Sequence, residues 1–314
     1  MWHVDTDDVE PNCKTRLWHH RPRRAVRSVR LMKFGIMFAN TGPFAAGPAA
    51  VELARHAEDL GFESLWTVEH VVVPTGYQST YPYSPTGRMP GDEANPIPDP
   101  LVWLAYVAGA TTTIRLATGI LILPQRNPLV LAKEVATLDA MSGGRVELGI
   151  GVGWLREEFD ALGVPFDDRA ARTDEYVEIL RRVWREPATR HDGTFTRFAE
   201  VQSYPKPTRI DGPPIHVGGH SLAAARRAGR IGDGFFPGRD LDTLVPAMRS
   251  AAEAAGRDPS SIVISAGGKP GPATVEHYRD TYGVQRFLVP PLGADVARVR
   301  ANLDKFADRV IARL

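Results

Sequence analysis

Cysteine is nearly missing from this sequence of 314 residues, in which Cys13 is the single thiol. One cysteine excludes an intrachain disulfide, and a chain without disulfides is typical of a reducing compartment, so we expect a cytoplasmic protein. Long hydrophobic runs are missing as well, because no stretch approaches the roughly 18 apolar residues of a membrane-spanning helix. We therefore expect no membrane partner.

An excess of charge of one sign is also missing. The 38 basic and 37 acidic residues give a formal net charge of +1, which provides no general attraction to nucleic acids or anionic surfaces. The 43% of hydrophobic and 24% of charged residues are typical of a globular enzyme and exclude global disorder. We therefore expect no nucleic-acid partner, and a small molecule as the substrate.

Established metal and nucleotide motifs are missing too. The nine histidines are scattered and no HExxH segment occurs, so we predict no metal site. The segment GIGVG at residues 149–153 has GxGxG spacing instead of the GxGxxG of dinucleotide-binding folds, and no Walker A loop occurs. A chain without a recognisable electrophile or nucleophile of its own favours chemistry that a bound organic cofactor supplies.

Basic residues are concentrated in the first 31 residues, which are rich in Arg and His and lack hydrophobic periodicity. A nucleic-acid-binding arm and an export signal are alternatives, but the apolar run that follows, residues 34–39, is too short for an export signal. We predict that residues 1–31 are a disordered tail, or an upstream extension from a mis-assigned start. The folded domain is then expected to begin at Met32.

From Met32 onward, strand-like apolar runs alternate with amphipathic helical stretches. The predicted strands are residues 33–39, 64–68, 115–119, 145–150, 214–218, 234–236, 261–266 and 285–289. The predicted helices are residues 48–60, 100–112, 128–141, 170–184, 221–231, 242–255, 272–282 and 295–313. Eight βα units predict one α/β domain over residues 32–314, a (β/α)8 TIM barrel with catalytic groups at the carboxyl ends of its strands. A doubly wound parallel sheet is the alternative, since counting strands does not prove closure.

Two connections are longer than usual barrel loops. Residues 71–98 follow the second strand and are dense in Pro, Gly and Tyr, with Tyr77, Tyr81 and Tyr83 among them. We interpret this segment as a mobile lid over a ligand, with a surface insertion as the alternative. Residues 185–212 follow the fourth helix and contain the hairpin-like HDGTFTRF. We expect them on the face opposite the catalytic one, with folding over the barrel as the alternative.

The end of the second strand carries Glu69 and His70, which are candidates for proton transfer near neutral pH. A structural pair is the alternative, because neighbouring strand residues point to opposite sides. After the fifth strand, a Gly-Gly turn precedes Ser221, a good helix N-cap, which favours a phosphate cradle over a plain turn. Arg239, after the sixth strand, is a candidate for a second anionic group or simply a solvated arginine.

Two long segments resemble the luciferase-like monooxygenase superfamily, and within it the branch of oxidoreductases that use coenzyme F420, a phosphorylated deazaflavin. They are ATGILILPQRNPLVLAKEVATLDAMSGGRVELGIGVGWLREEF, with ALGVPFDDR after it, and PPIHVGGHSLAAARRAGRIGDGFFP. The resemblance extends over residues 32–314.

This resemblance implies a set of cofactor contacts. The matching positions are Gly119, Ile120, Val152, Gly153, Trp154, Gly218, Gly219, His220 and Ser221. The Gly119–Ile120 bond falls where the family has a cis peptide that forms a bulge behind the central cofactor ring. Residues 152–154 fall where the family wraps the cofactor and reaches the substrate, and residues 218–221 match its phosphate cradle.

Catalytic roles follow from the same resemblance. Glu69 and His70 match an acid–histidine pair beside the reactive ring, although many deazaflavin-dependent members have Asp at the position of Glu69. Trp154 faces the substrate and replaces an acid that a sugar-phosphate-oxidising branch uses, which argues against that reaction here. Arg239 is the second candidate for substrate contact, on the basis of its position after the sixth strand and not of the resemblance.

The activity implied is hydride transfer between C5 of coenzyme F420 and an unidentified small organic substrate, with His70 as the proton partner. One alternative is a monooxygenase that uses reduced FMN and oxygen. Another is a non-catalytic protein that binds a flavin or deazaflavin. We also expect a homodimer.

Overall fold

The computed structural model describes residues 32–268, 271–291, 293 and 295–313, and the predicted tail, residues 1–31, lies outside the described residues. The strands in these ranges are β1 (Lys33–Met37), β2 (Ser64–Thr67), β3 (Arg115–Thr118), β4 (Leu121–Ile122), β5 (Val146–Gly151), β6 (Thr189–Asp192), β7 (Arg197–Val201), β8 (Ile215–Gly218), β9 (Gly234–Phe236), β10 (Val263–Gly267) and β11 (Arg286–Val289). The α-helices in the same ranges are α1 (Gly47–Asp59), α2 (Pro100–Ala108), α3 (Pro128–Met141), α4 (Arg156–Ala161), α5 (Arg169–Arg185), α6 (Leu222–Ile231), α7 (Leu241–Ala254), α8 (Pro272–Tyr282) and α9 (Val296–Arg309).

Parallel strands close into a barrel in the order β1, β2, β3, β5, β8, β9, β10 and β11, and β11 pairs again with β1. The contact that completes the ring joins β3 to β5, where Leu116 pairs with Val146 and Ala117 with Glu147. The predicted (β/α)8 barrel is therefore confirmed. A doubly wound sheet is excluded, because it would leave two strands with unpaired edges.

The outer helices bury apolar faces against the barrel. In α9, Val299, Leu303 and Phe306 are buried at the predicted three-to-four spacing, and the Phe306 ring lies 5.5 Å from that of Phe34 in β1. This helix ends at Arg309, before the predicted end, because the next residue leaves the helical conformation with φ of −120°. Among the described residues, no helix combines the length and apolarity that crossing a membrane requires.

The second helix also ends earlier than predicted. It stops at Ala108 instead of residue 112, because the Ala110 amide donates to the Val107 carbonyl, three residues back, and later amides bind a side chain. Those of Thr112, Thr113 and Ile114 donate hydrogen bonds to the Glu58 carboxylate of α1 at 3.0, 2.5 and 2.8 Å. These hydrogen bonds to Glu58 thus fix the turn that precedes β3.

The long connection after the predicted fourth helix, which is α5, contains the predicted hairpin. Its strands β6 and β7 pair antiparallel, and Glu175 of α5 accepts hydrogen bonds from the turn amides of Thr194, Phe195 and Thr196. Two short elements, β4 and α4, were not predicted as separate elements. Both follow the carboxyl ends of barrel strands, which together form the barrel mouth. The sequence has no long periodic pattern there.

A buried ion network fills the amino-terminal end of the barrel. Glu147 of β5 lies 2.8 Å from Nε2 of His216 in β8 and 2.8 Å from a guanidinium nitrogen of Arg286 in β11. Arg286 also donates to both oxygens of Glu63, at 2.8 and 2.9 Å. Burial raises the pKa of the Glu147 carboxyl, but His216, Arg286 and Arg115 together hold it well below its ordinary range. This network of Arg115, Glu147, His216, Arg286 and Glu63, called the floor, therefore has a structural role at the end of the barrel opposite the mouth.

Candidate active site at the barrel mouth

Ile120 forms a bulge at the carboxyl ends of the strands. The Gly119–Ile120 peptide bond is cis, as the resemblance implies. A Cβ atom on Gly151 would lie 2.6 Å from the Ile120 side chain, and one on Gly218 would lie 2.5 Å from it. Glycine at both strand ends therefore lets Ile120 lie across β5 and β8.

The turn after β5 forms the next part of the mouth. A Cβ on Gly149 would collide with the Thr118 carbonyl oxygen, so β5 approaches β3 this closely only with glycine there. Gly153 has φ of +80°, and a Cβ on it would lie 2.7 Å from the Phe159 ring. Its neighbours Val152 and Trp154 are half-buried. The Trp154 ring contacts Tyr77 and Tyr81 of the lid segment, so the lid covers the mouth on this side.

His70 is held by a buried carboxylate. Its Nδ1 lies 3.0 Å from Oε2 of Glu158 in α4, whose exposed fraction is 0%. The other oxygen, Oε1, accepts hydrogen bonds from the amides of Val71 and Val72 at 2.7 and 3.3 Å. Because a carboxylate only accepts hydrogen bonds, Nδ1 is the donor and Nε2 is left as an acceptor. His70 is therefore oriented to take up a proton at Nε2.

Glu69 points toward the segment after β3 instead of toward His70. Its Oε2 accepts a hydrogen bond from the Ile122 amide at 2.5 Å, and its Oε1 binds Arg126, which also donates to Asp99 at 2.7 Å. Burial raises the pKa of the Glu69 carboxyl, and the positive charge of Arg126 opposes this. The structure thus does not bring Glu69 and His70 together. Glu69 holds the chain directly behind the Ile120 bulge.

A row of aromatic rings crosses the mouth from the end of β2 to the end of β8. This aromatic row consists of His70, Trp154, Tyr77, Tyr81, Tyr83 and His220. The rings meet edge to face, with centroids 5.2 Å apart for Trp154 and Tyr81, 5.4 Å for Tyr81 and Tyr83, and 4.8 Å for Tyr83 and His220. Through Tyr77, Tyr81 and Tyr83, the lid segment, residues 71–98, therefore lies across the barrel mouth, at the strand ends where the sequence places it.

Helix α4 fastens the first part of the lid. While Glu158 holds the start of the segment, its neighbour Glu157 accepts hydrogen bonds from the amides of Gln78 and Ser79 at 2.7 and 3.0 Å. The Ser79 hydroxyl donates to the same carboxylate at 2.7 Å. Two consecutive glutamates thus hold residues 71–79. The mobility of the lid stays a prediction.

The predicted phosphate cradle lies at the end of β8. Gly219 has φ of +136°, and a Cβ on it would lie 2.8 Å from the Cβ of Ala224. The Ser221 hydroxyl accepts a hydrogen bond from the Ala224 amide at 3.2 Å and caps α6. The first amides of a helix have no partners within it, so this turn can bind an anion.

Arg239 lies near His220, which is itself part of the predicted cradle. A Cβ on Gly238 would lie 2.8 Å from the Tyr83 ring and 3.7 Å from the Cβ of His220, which places the loop after β9 against the end of β8. Burial and the positive charge of Arg239 lower the pKa of His220. The Arg239 side chain is 55% exposed and pairs with Asp240 at 3.5 Å. Its charge is therefore near the turn at residues 218–221.

Glu157 and Glu158 are the functional candidates that sequence reasoning missed. Their signal is present as adjacent acids in REEF, in the first turn of a helix that directly follows a glycine-rich strand end. Acids in that position are common for helix stability alone, since they favour the positive end of the helix. Only the folded chain shows that both carboxylates bind the segment after β2.

Comparison with known proteins gives a consistent set of matches. A profile described as luciferase-like monooxygenase matches residues 32–302. An uncharacterized protein of Mycobacterium tuberculosis is 34% identical over 276 residues, which cover 84% of this chain and 95% of that protein. An F420-dependent glucose-6-phosphate dehydrogenase of Kineococcus radiotolerans is 33% identical over 234 residues, which cover 71% of this chain and 64% of that protein.

Solved structures share the same architecture. Monooxygenase RslO1 from Streptomyces bottropensis superposes with a TM-score of 0.73 at 26% identity, over 90% of this chain and 99% of that one. The coenzyme F420 dependent tetrahydromethanopterin reductase from Methanopyrus kandleri gives a TM-score of 0.71 at 18% identity, over 90% and 99% of the two chains. At the lower identity the likeness shows the shared fold alone.

Proposed function

Because the chain belongs to the luciferase-like monooxygenase family, we propose that it is an oxidoreductase that transfers a hydride between coenzyme F420 and a small organic substrate. The observation that carries this proposal is His70 at the barrel mouth, whose Nδ1 is held by the buried Glu158 so that Nε2 is left as an acceptor. The choice of F420 is supported by the 33% identity to a dehydrogenase that depends on this cofactor.

The described residues fit such a cofactor. The cradle at residues 218–221 would hold its phosphate, and the exposed charge of Arg239 would lie near the same end. Ile120 would support the ring system from behind, while residues 152–154 would border it. When bound, F420 supplies a ring carbon that accepts or donates a hydride.

The protein itself would contribute a proton acceptor and a partial barrier to water. When a substrate carbon gives up a hydride, the attached O–H or N–H group must lose its proton, and Nε2 of His70 would receive it. Glu158 acts as a positioning residue, since it sets the tautomer of His70 without being placed to touch the substrate. The aromatic row and the lid would limit the access of water to this proton transfer.

Titration of the purified protein with F420 and with FMN tests the proposal. We expect F420 to bind more tightly than FMN, and Gly219→Ala to weaken F420 binding by about 10-fold because the added methyl group crowds the cradle. Gly61→Ala is the matched control, because Gly61 also has a positive φ, of +81°, but lies at the end of α1.

Activity is then measured as loss of oxidised F420 during a screen of alcohols and amines. His70→Asn is expected to retain F420 binding and to lose turnover. Tighter binding of FMN than of F420, or full turnover by His70→Asn, would contradict the proposal. Tight F420 binding without any hydride exchange would favour the non-catalytic alternative.

A flavin-dependent monooxygenase is the second candidate, because the structure of a monooxygenase superposes at 26% identity over 90% of the chain. This activity predicts that reduced FMN binds and that oxygen is consumed in a substrate-dependent manner. Oxygen uptake measured with reduced FMN separates the two activities.

A further inference from the structure

The part of the mouth next to His70 is built from aromatic and aliphatic side chains. Trp154 contacts the His70 ring edge to face, at a centroid distance of 5.7 Å, and Tyr81 extends the same surface. Val71 and Val72, which directly follow His70, are 46% and 42% exposed and add two neighbouring aliphatic side chains to this surface. Phe38, at the carboxyl end of β1, is 37% exposed.

The charged groups around this surface are already paired with protein groups. The Glu158 carboxylate binds His70 and two amides, and the Glu157 carboxylate binds two amides and a hydroxyl. Arg126 binds Glu69 and Asp99, and Arg88 donates to the Tyr77 carbonyl at 2.5 Å and lies over the Tyr77 ring. A charged substrate would therefore have to break one of these pairs to be neutralised.

The ion pair at the other end of the aromatic row is exposed, because Arg239 is 55% and Asp240 is 63% exposed at a distance of 3.5 Å. An exposed pair contributes little to stability, so an anion can replace Asp240 as the partner of Arg239 at small cost. Arg239 lies near His220 of the cradle, and Tyr83 separates this region from Tyr81 and Trp154. The mouth thus has an end suited to anions at β8 and an apolar end at β2. Since the cofactor phosphate would occupy the end at β8, the substrate would bind at the apolar end at β2.

We propose that the substrate is an uncharged molecule with an aromatic ring, which packs edge to face against Trp154 and Tyr81 while its reacting group lies at His70. This inference rests on the proposed function for the position of the cofactor. Edge-to-face pairing is the geometry that these two rings already adopt with their neighbours. Tyr81 is then a specificity-determining residue that the lid contributes.

Binding of three probes to the full-length protein tests the proposal by ligand-observed NMR, with and without F420. The probes are acetophenone, which is neutral and aromatic, cyclohexyl methyl ketone, which is neutral and not aromatic, and 4-acetylbenzoate, which is aromatic and anionic. We expect acetophenone to bind most tightly. Tyr81→Leu and Trp154→Leu should each weaken acetophenone by about 2- to 10-fold and leave the affinity for cyclohexyl methyl ketone unchanged. Tyr106→Leu is the control, because Tyr106 is 55% exposed on α2.

The two proposals fail in different ways. Equal or tighter binding of either comparison ketone, absence of acetophenone binding, or an unchanged acetophenone affinity in Tyr81→Leu would overturn the substrate class. The proposed function is overturned instead when F420 itself does not bind. Acetophenone binding that keeps its preference and its dependence on Tyr81 without F420 would still support the substrate class.

Discussion

For single residues at the barrel mouth, the direction in which the side chain points decides which partner it binds. Glu69 and His70 are adjacent, yet Glu69 binds Arg126 and His70 binds Glu158, which is 88 residues further along the chain. Alternation along an extended segment explains the difference, because neighbouring side chains point to opposite sides. The acid that orients the histidine is therefore distant in sequence.

Glu158→Gln tests this assignment. A glutamine has the size of glutamate, but its amide nitrogen only donates, so a nitrogen facing Nδ1 would move the ring proton to Nε2 and remove the proton acceptor. We expect turnover to fall by about 10- to 100-fold, as for other residues that orient a functional histidine. Steady-state kinetics should show this loss in kcat, while the Kd for F420 in a fluorescence titration stays unchanged.

Glu158→Asp serves as the conservative control for that variant. It keeps a carboxylate that only accepts hydrogen bonds, so we expect it to recover part of the lost turnover. Equal loss in both variants, together with a weakened affinity for F420, would instead point to a general structural role for this position.

Among the secondary-structure elements, α1 and α4 are connected to neighbouring segments by glutamate side chains that accept hydrogen bonds from backbone amides. Glu157 and Glu158 join α4 to the lid, and Glu58 joins α1 to the turn before β3. Burial alone would raise the pKa of Glu58, but hydrogen bonds from the amides of Thr113 and Ile114 lower it from 4.5 to about 2. The ionised carboxylate is thus the form that the fold stabilises.

Glu58→Gln should therefore destabilise the protein in a pH-dependent way. Because folding lowers this pKa, the stabilisation is fully present above pH 4.5 and is lost as the pH falls toward 2. We expect the variant to lose about 1 kcal/mol in free energy of unfolding at pH 7, a modest value because the site is partly exposed. Urea denaturation at pH 7 and at acidic pH measures the difference, and a difference that grew on acidification would contradict the assignment.

At the scale of the whole molecule, the barrel separates a charged floor from an apolar and aromatic mouth. The floor joins side chains from β3, β5, β8 and β11, which are far apart in sequence and meet only when the ring closes. Breaking a buried pair leaves an uncompensated charge, whereas an exposed pair contributes little. Closure and ion pairing therefore stabilise each other.

Glu147→Gln should accordingly lower the free energy of unfolding by about 3 kcal/mol, because Arg115 and Arg286 lose a buried carboxylate partner. Glu178→Gln on α5 is the matched control, since Glu178 is 61% exposed in an ion pair of 3.9 Å, and we expect it to change stability by less than about 1 kcal/mol. Chemical denaturation compares the two variants. Similar small effects in both would show that the floor network does not stabilise the barrel.

The sequence by itself determined the alternation of strands and helices, the glycine-rich strand ends, the long segment after β2 and the insertion after α5, because periodicity, turn residues and connection length are local properties. Through resemblance to a family it also predicted the cis peptide bond between Gly119 and Ile120, which the structure contains, and a phosphate cradle at residues 218–221, which stays a prediction. Closure of the barrel, the floor network and the pairing of His70 with Glu158 were decided only by the tertiary structure. Each depends on contacts between side chains from different βα units, and no local pattern specifies which distant partner a buried charge will meet.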